Sequence, residues 1–170
     1  MSIYNSTIAN NVADADVNSG EQSGGVSNPS ACVTFNFQNS IIGHNYGSFL
    51  FGGFLLNGPN YDCGGTLTSL GFNIVGGKPV DCTINGAFTL GDANLGPLQN
   101  NGGPTATHAL LPGSPAIDAG ETLFCTNNVG LPILTDQRGL PRPANGAGAY
   151  RCDIGAFEVQ RLLFLPLIRR

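Results

Sequence analysis

Asn5-Ser6-Thr7-Ile8, Asn39-Ser40-Ile41-Ile42, Asn73-Ile74-Val75-Gly76 and Asn94-Leu95-Gly96 repeat one pattern, an asparagine followed by a short apolar or β-branched run. Their spacing decides the fold. Ile8 to Ile42 is 34 residues, Ile41 to Ile74 is 33, Ile74 to Leu95 is 21 and Leu95 to Ile117 is 22. The shorter intervals suit one turn of a parallel β-helix, and the longer ones suit a turn carrying an insertion. A strand of three to five residues buries little alone. Ile8, Ile42, Ile74, Leu95 and Ile117 are therefore expected to stack as aliphatic ladders along a common axis. Asparagine at successive corners tolerates left-handed backbone and can hydrogen-bond to its counterpart one turn away.

Outward from these stretches, no 3.6-residue periodicity is sustained and turn formers separate nearly all apolar runs, so very little helix is expected. Two segments read as insertions. Residues 13–30 are rich in Asp, Ser and Gly. Residues 43–65 carry Phe49, Leu50, Phe51, Phe54, Leu55 and Leu56, read either as an extra strand pair on the flank or as a contact patch for a partner.

A chain of 170 residues holds one domain with a sizeable core. Only 11% of it is charged, against about 25% in ordinary soluble domains, so a solvated helical surface is excluded and Asn, Ser and Thr must supply the polarity. Gly and Pro, 25 and 11 residues, stay below the roughly 25–30% that marks disordered low-complexity chains. Before Arg138, Lys78 alone faces nine acids, for a net charge of −8; from Arg138 onward the net charge is +4. An acidic body without a basic stripe excludes nucleic acid as a partner.

Five cysteines lack C-x-x-C spacing, which removes the zinc and redox motifs. Cys63 and Cys82 bracket one segment and Cys125 and Cys152 another. Those two disulfides are expected, with Cys32 unpaired, although spacing alone does not fix connectivity. Disulfides imply export to the cell surface or beyond. The first residues, Met-Ser-Ile-Tyr-Asn-Ser-Thr, have neither the basic nor the apolar region of a signal peptide, so the start of an exported chain is expected upstream.

Three further motifs occur in order. They are Gly96 to Gly120, reading GPLQNNGGPTATHALLPGSPAIDAG; Thr135-Asp136-Gln137-Arg138-Gly139-Leu140-Pro141-Arg142-Pro143; and Cys152-Asp153-Ile154-Gly155-Ala156-Phe157-Glu158. Together they resemble the C-terminal region of bacterial surface proteins often labelled choice-of-anchor Q. NSIIGHN (39–45) and LGFNIVG (70–76) are similar to that family's preceding turns, so the resemblance covers residues 1–158. It implies an all-β, right-handed parallel β-helix of the pectin-lyase-like solenoid class, exported, with no settled biochemical activity. Residues 1–158 are then the C-terminal part of a longer solenoid, whose preceding turns are a partner within the same chain. Residues 159–170 are an apolar tail or cap. The run Leu162 to Ile168, interrupted by Pro166, is too short for a bilayer that needs about 20 residues, so no transmembrane segment is expected.

Pectin-lyase-like solenoids often act on carbohydrate. A lyase needs a base near carboxylates, and the acidic body offers only Lys78. A glycoside hydrolase needs two carboxylates, for which the candidates are Asp118, Asp136, Asp153 and Glu158, with Arg138 and Arg142 among them. The competing reading is that Arg138 pairs with Asp153 or Glu158 to pin the Thr-Asp-Gln-Arg-Gly loop onto the terminal turn. His108 and His44 read as turn residues, and no Gly-x-Ser-x-Gly elbow is present. Calcium is a candidate cofactor at Asp92 and Asn94, or at Asp14 and Asp16, against ordinary turn capping. The expectation is thus an exported, adhesin-like structural surface protein without an evident active site of its own, whose partner is a polysaccharide or another cell-surface component. The alternatives are a carbohydrate-active enzyme fragment, or a carbohydrate-binding module stacking sugars on Tyr46, Phe49 and Tyr61.

Overall fold

A computed structural model describes residues 1–13, 23–29, 33–51, 54–58, 61–77, 82–121, 125–143 and 151–160. The strands in chain order are β1 (Ser2–Tyr4), β2 (Thr7–Ala9), β3 (Val26–Asn28), β4 (Asn36–Gln38), β5 (Ile41–Gly43), β6 (Gly47–Phe51), β7 (Phe54–Gly58), β8 (Cys63–Ser69), β9 (Ile74–Val75), β10 (Cys82–Asn85), β11 (Thr89–Leu90), β12 (Leu95–Gln99) and β13 (Thr107–Leu110). No helix occurs among the described residues.

Sharp corners join β1 to β2 and β4 to β5. Asn5 and Asn39 both sit there with φ of 49°, the left-handed region that asparagine tolerates. Asn39 Nδ2 donates to Asn5 Oδ1 at 2.8 Å, Ser6 N to Ser40 Oγ at 3.2 Å and Ser40 N to Asn73 Oδ1 at 2.8 Å. The corner side chains thus bond each repeat to the next. Strands stack in parallel on either side of these corners. One sheet runs β1-β4-β8-β10, with β3 also on β8; the other runs β2-β5-β9-β11. Ile8 lies against Ile42 and Ile41 against Ile74, the register that the 34- and 33-residue spacings require.

Neighbouring residues of a strand point to opposite faces. Ile42 and Val75 therefore face inward, joining Phe37, Leu67, Cys63 and Cys82 in a core between the two parallel sheets. Ile41 and Ile74 face outward and would leave an apolar stripe in water. Ala93, Leu110, Ala116, Ile154 and Phe157 cover it as a second core.

That second layer overturns the expected right-handed parallel β-helix. Leu95 adds no rung to the ladder; it starts β12, which pairs antiparallel with β13 and sets Leu95 opposite Leu110. Ile117 lies in a turn outside any strand. Ala93, Leu110, Ala116, Ile154 and Phe157 instead lie over the outer face of β5 and β9, where they take the apolar stripe of Ile41 and Ile74 out of water. A second antiparallel pair, β6 with β7, occupies the inserted stretch 43–65, where an extra strand pair was one reading. The described strands thus form two parallel and two antiparallel sheets, and no single solenoid spans residues 1–158.

Two disulfides lock the arrangement. Cys63–Cys82 ties β8 to β10, and Cys125–Cys152 ties together two loops of the covering layer. These are the pairs that bracketing selects. Cys32, Lys78, Asp14, Asp16 and the tail 161–170 lie outside the described residues, as does the side chain of Phe49.

Candidate functional site

The Thr135–Pro141 stretch is a small hairpin. Asp136 N donates to Leu140 O at 2.9 Å, and Gly139, with φ of 83°, supplies the left-handed turn residue. Asp136 Oδ1 accepts from Arg138 N at 2.8 Å and from Leu140 N at 3.1 Å, which fixes the loop from within. Asp136 Oδ2 accepts from Arg138 Nε at 2.9 Å and Nη2 at 2.7 Å, and from Glu158 N at 3.1 Å. The Arg138 guanidinium also lies 3.6 Å over the Phe157 ring and reaches the main-chain carbonyls of Asn101 and Glu158. One side chain therefore holds three loops.

Arg142 lies deeper, 3% exposed. Its Nη2 donates to the carbonyls of Asp153 and Gly155, and its Nε faces Glu158 Oε2 at 3.4 Å. Burial pulls its pKa down, and the carboxylates of Glu158, Asp153 and Asp136 oppose that shift. Asp153 uses Oδ1 for Asp118 N at 2.7 Å and Oδ2 for Val159 N at 2.6 Å, while its own N–H reaches Glu158 Oε2 at 2.9 Å. Burial raises the Asp153 carboxyl above its ordinary range, and the bonds from Val159 and Asp118 partly offset this.

The structure brings Asp136, Arg138, Arg142, Asp153 and Glu158 together, with the Asp118 main chain at their edge. The pairing differs from the one expected. Arg138 bonds to Asp136 within its own loop and meets Glu158 only through the main chain, whereas Arg142 takes the Glu158 carboxylate. The reason is local: Asp136 precedes Arg138 by two residues in the hairpin and reaches it before any distant acid can. A catalytic carboxyl must reach the atom it protonates. Asp153 and Glu158 are 1% and 2% exposed, with oxygens turned onto main-chain N–H groups and Arg142. Their arrangement joins loops.

One more buried carboxylate, Asp62, stands apart from this cluster and escaped the sequence reading. Asp62 accepts from Asn45 N and Asn45 Nδ2, both at 2.8 Å, and from Gly77 N at 2.6 Å. Asn45 Oδ1 in turn accepts from Asn11 N and Nδ2. Burial raises the Asp62 carboxyl, with the bonds from Asn45 and Gly77 and the charge of His44 working against it. The signal was present, since Asn11 and Asn45 are 34 residues apart like Asn5 and Asn39.

Asp92 and Asn94, the calcium candidates, form a turn in which Asp92 Oδ1 accepts from Asn94 N at 2.7 Å and meets His44 Nε2 at 2.9 Å. Among the described residues no three His, Cys, Asp or Glu side chains are grouped to hold a metal. His108 lies in β13 and not in the turn read for it; it is buried, with Nδ1 2.7 Å from Gly96 O, the main-chain carbonyl partner that was expected. Tyr46 is exposed and Tyr61 half-buried on the flank. A cleft of about 370 Å³ separates the corner at Tyr4 to Thr7 from the hairpin residues Thr135 and Gln137.

No family model matches the chain, and no curated protein or solved structure resembles it closely enough to count as a match. The two disulfides fit an oxidising, extracellular setting. No helix among the described residues is long and apolar enough to cross a membrane.

Proposed function

We propose that this chain is a non-catalytic structural module of an exported surface protein, adhesin-like in presenting a disulfide-locked β face to a polysaccharide or another cell-surface component. One observation carries the reading. The charged cluster that would have to perform hydrolysis is turned inward, its carboxylates engaged by main-chain N–H groups and two arginines. Support also comes from the motif resemblance of residues 96–158 to surface proteins of the choice-of-anchor Q type, and from the crosslinks.

The test runs a glycan array beside reducing-end and unsaturated-uronate assays on the same polysaccharides. The proposal expects no products from any of them. Product release that Glu158→Gln abolishes, with thermal unfolding unchanged, would replace it with a glycoside hydrolase.

A further inference from the structure

An asparagine followed by glycine carries its own chemistry. The glycine nitrogen, unhindered by a side chain, attacks the asparagine carboxamide carbon. The N–Cγ bond forms, the Cγ–Nδ2 bond breaks, and ammonia leaves with the proton of the glycine N–H. Water then opens the cyclic imide at either carbonyl, so an aspartyl or an isoaspartyl residue, with a new carboxylate, replaces the amide. The chain has four such pairs, at Asn57, Asn85, Asn101 and Asn145, and the structure describes the side chains of Asn85 and Asn101.

Those two are held very differently. Asn101 Nδ2 donates to Thr107 O at 2.8 Å and to Thr107 Oγ1 at 3.1 Å, its Oδ1 accepts from Gln99 Nε2 at 3.2 Å, and its main-chain carbonyl accepts from Arg138 Nη1 at 3.3 Å. The nucleophile is engaged as well, since Gly102 N donates to Asn100 Oδ1 at 2.9 Å. Asn85 is exposed at the end of β10, on an edge that no described strand pairs. Neither its carboxamide nor the Gly86 N–H has a hydrogen-bond partner among the described residues. Gly86 and Gly102 share the left-handed backbone, with φ of 94° and 93°, so the two sites differ in their bonds and not in the glycine conformation.

We propose that Asn85 is a self-modification site, converting in the folded chain to the aspartyl and isoaspartyl forms with water as the only co-reactant, while the fold keeps Asn101 as the amide. The conversion acts on a corner with little slack. A Cβ added at Gly86 would lie 2.2 Å from Ser69 O, and Ser69 Oγ donates to the carbonyl of Ala87, the next residue. An isoaspartyl linkage carries an additional main-chain carbon into this corner. That shifts Ala87 off Ser69 and slackens β11, where Thr89 N and Gly91 N donate to Asn73 O and Val75 O. Either product also places a carboxylate on residues 82–91, which contain no Asp, Glu, Lys or Arg.

Peptide mapping by mass spectrometry tests it on the purified chain held at mildly alkaline pH, folded and, in parallel, reduced and denatured. In the folded chain Asn85 is expected to lose its amide at least about tenfold faster than Asn101, because the Asn101 amide and the Gly102 N–H must each first give up a hydrogen bond. Denaturation removes those bonds and should bring the two rates together. Asn85→Gln should abolish the conversion at that position. After conversion, the amides of Thr89 and Gly91 should exchange hydrogen faster than in Asn85→Asp, which carries the charge without the additional carbon. Equal folded rates at the two positions overturn the proposal, as does an Asn85 that loses its amide only when denatured. Unchanged exchange at Thr89 and Gly91 overturns the role given to the corner.

Discussion

Asn39 combines three demands in one side chain. It holds a left-handed corner, donates to Asn5 Oδ1 and Asp153 O, and accepts from Glu121 N, all while 1% exposed. Alanine there leaves buried groups unpaired, at about 1–3 kcal/mol each, and adds about 1 kcal/mol for the left-handed backbone. Glycine removes the same bonds but tolerates that backbone. Denaturant unfolding should therefore rank wild type above Asn39→Gly and Asn39→Gly above Asn39→Ala, and equal loss in both variants would deny the corner its conformational role.

Asp62 makes a second prediction at this scale. Its folded carboxyl titrates above the ordinary value near 4, so the folded state keeps a proton that the unfolded chain has already lost. Stability from this group is present at acid pH and is lost as pH rises from the ordinary carboxylate range through the raised folded value. Asp153 has the same sign. Unfolding free energies measured across that window should show wild type losing stability relative to Asp62→Asn as pH rises; a relative gain would contradict the burial argument.

At the scale of elements, the covering layer depends on side chains and crosslinks more than on strand pairing. Cys125–Cys152 closes a separation of 27 residues, worth about 3.5 kcal/mol by loop entropy. Replacing both cysteines with alanine should lower stability by about that amount and speed hydrogen exchange in residues 125–158 first. Uniform acceleration across β4, β5 and β8 as well would mean that the layer does not loosen as a unit.

The repeat was legible because the chain marks it with polar residues as well as apolar ones. Asn5, Asn39 and Asn73, with Ser6 and Ser40, announced both the corners and the register. The layer was hidden because Ile41-Ile42 and Ile74-Val75 read as one apolar run each, although their members serve opposite faces. Period-2 alternation over two residues cannot say which face is covered or by what. Leu95 then fell at a spacing near one turn and was counted as a rung, where an antiparallel hairpin uses it. The site was legible to the same depth. Motif spacing gathered Asp136, Arg138, Asp153 and Glu158, but the choice between Asp136 and Glu158 as partner of Arg138 is made by a hairpin turn.

In the whole molecule, two parallel sheets enclose one core and the C-terminal residues build a second against the outside of one sheet. The Asp136–Arg138 and Arg142–Glu158 ion pairs belong to that second junction. They link hairpin 135–141 to residues 101, 153 and 158, so they report on whether the layer is seated. Hydrolysis would instead require at least two of those carboxylates to stay accessible to a substrate.

The central claim is that this charged cluster is a fastening, and thermal unfolding of Arg138→Ala beside wild type tests it most directly. Removing one partner of a buried ion pair costs about 3–5 kcal/mol, or roughly 6–20 °C in Tm for a chain of this size. The account predicts a fall of that order. An Arg138→Ala protein that unfolds at the wild-type temperature would contradict it.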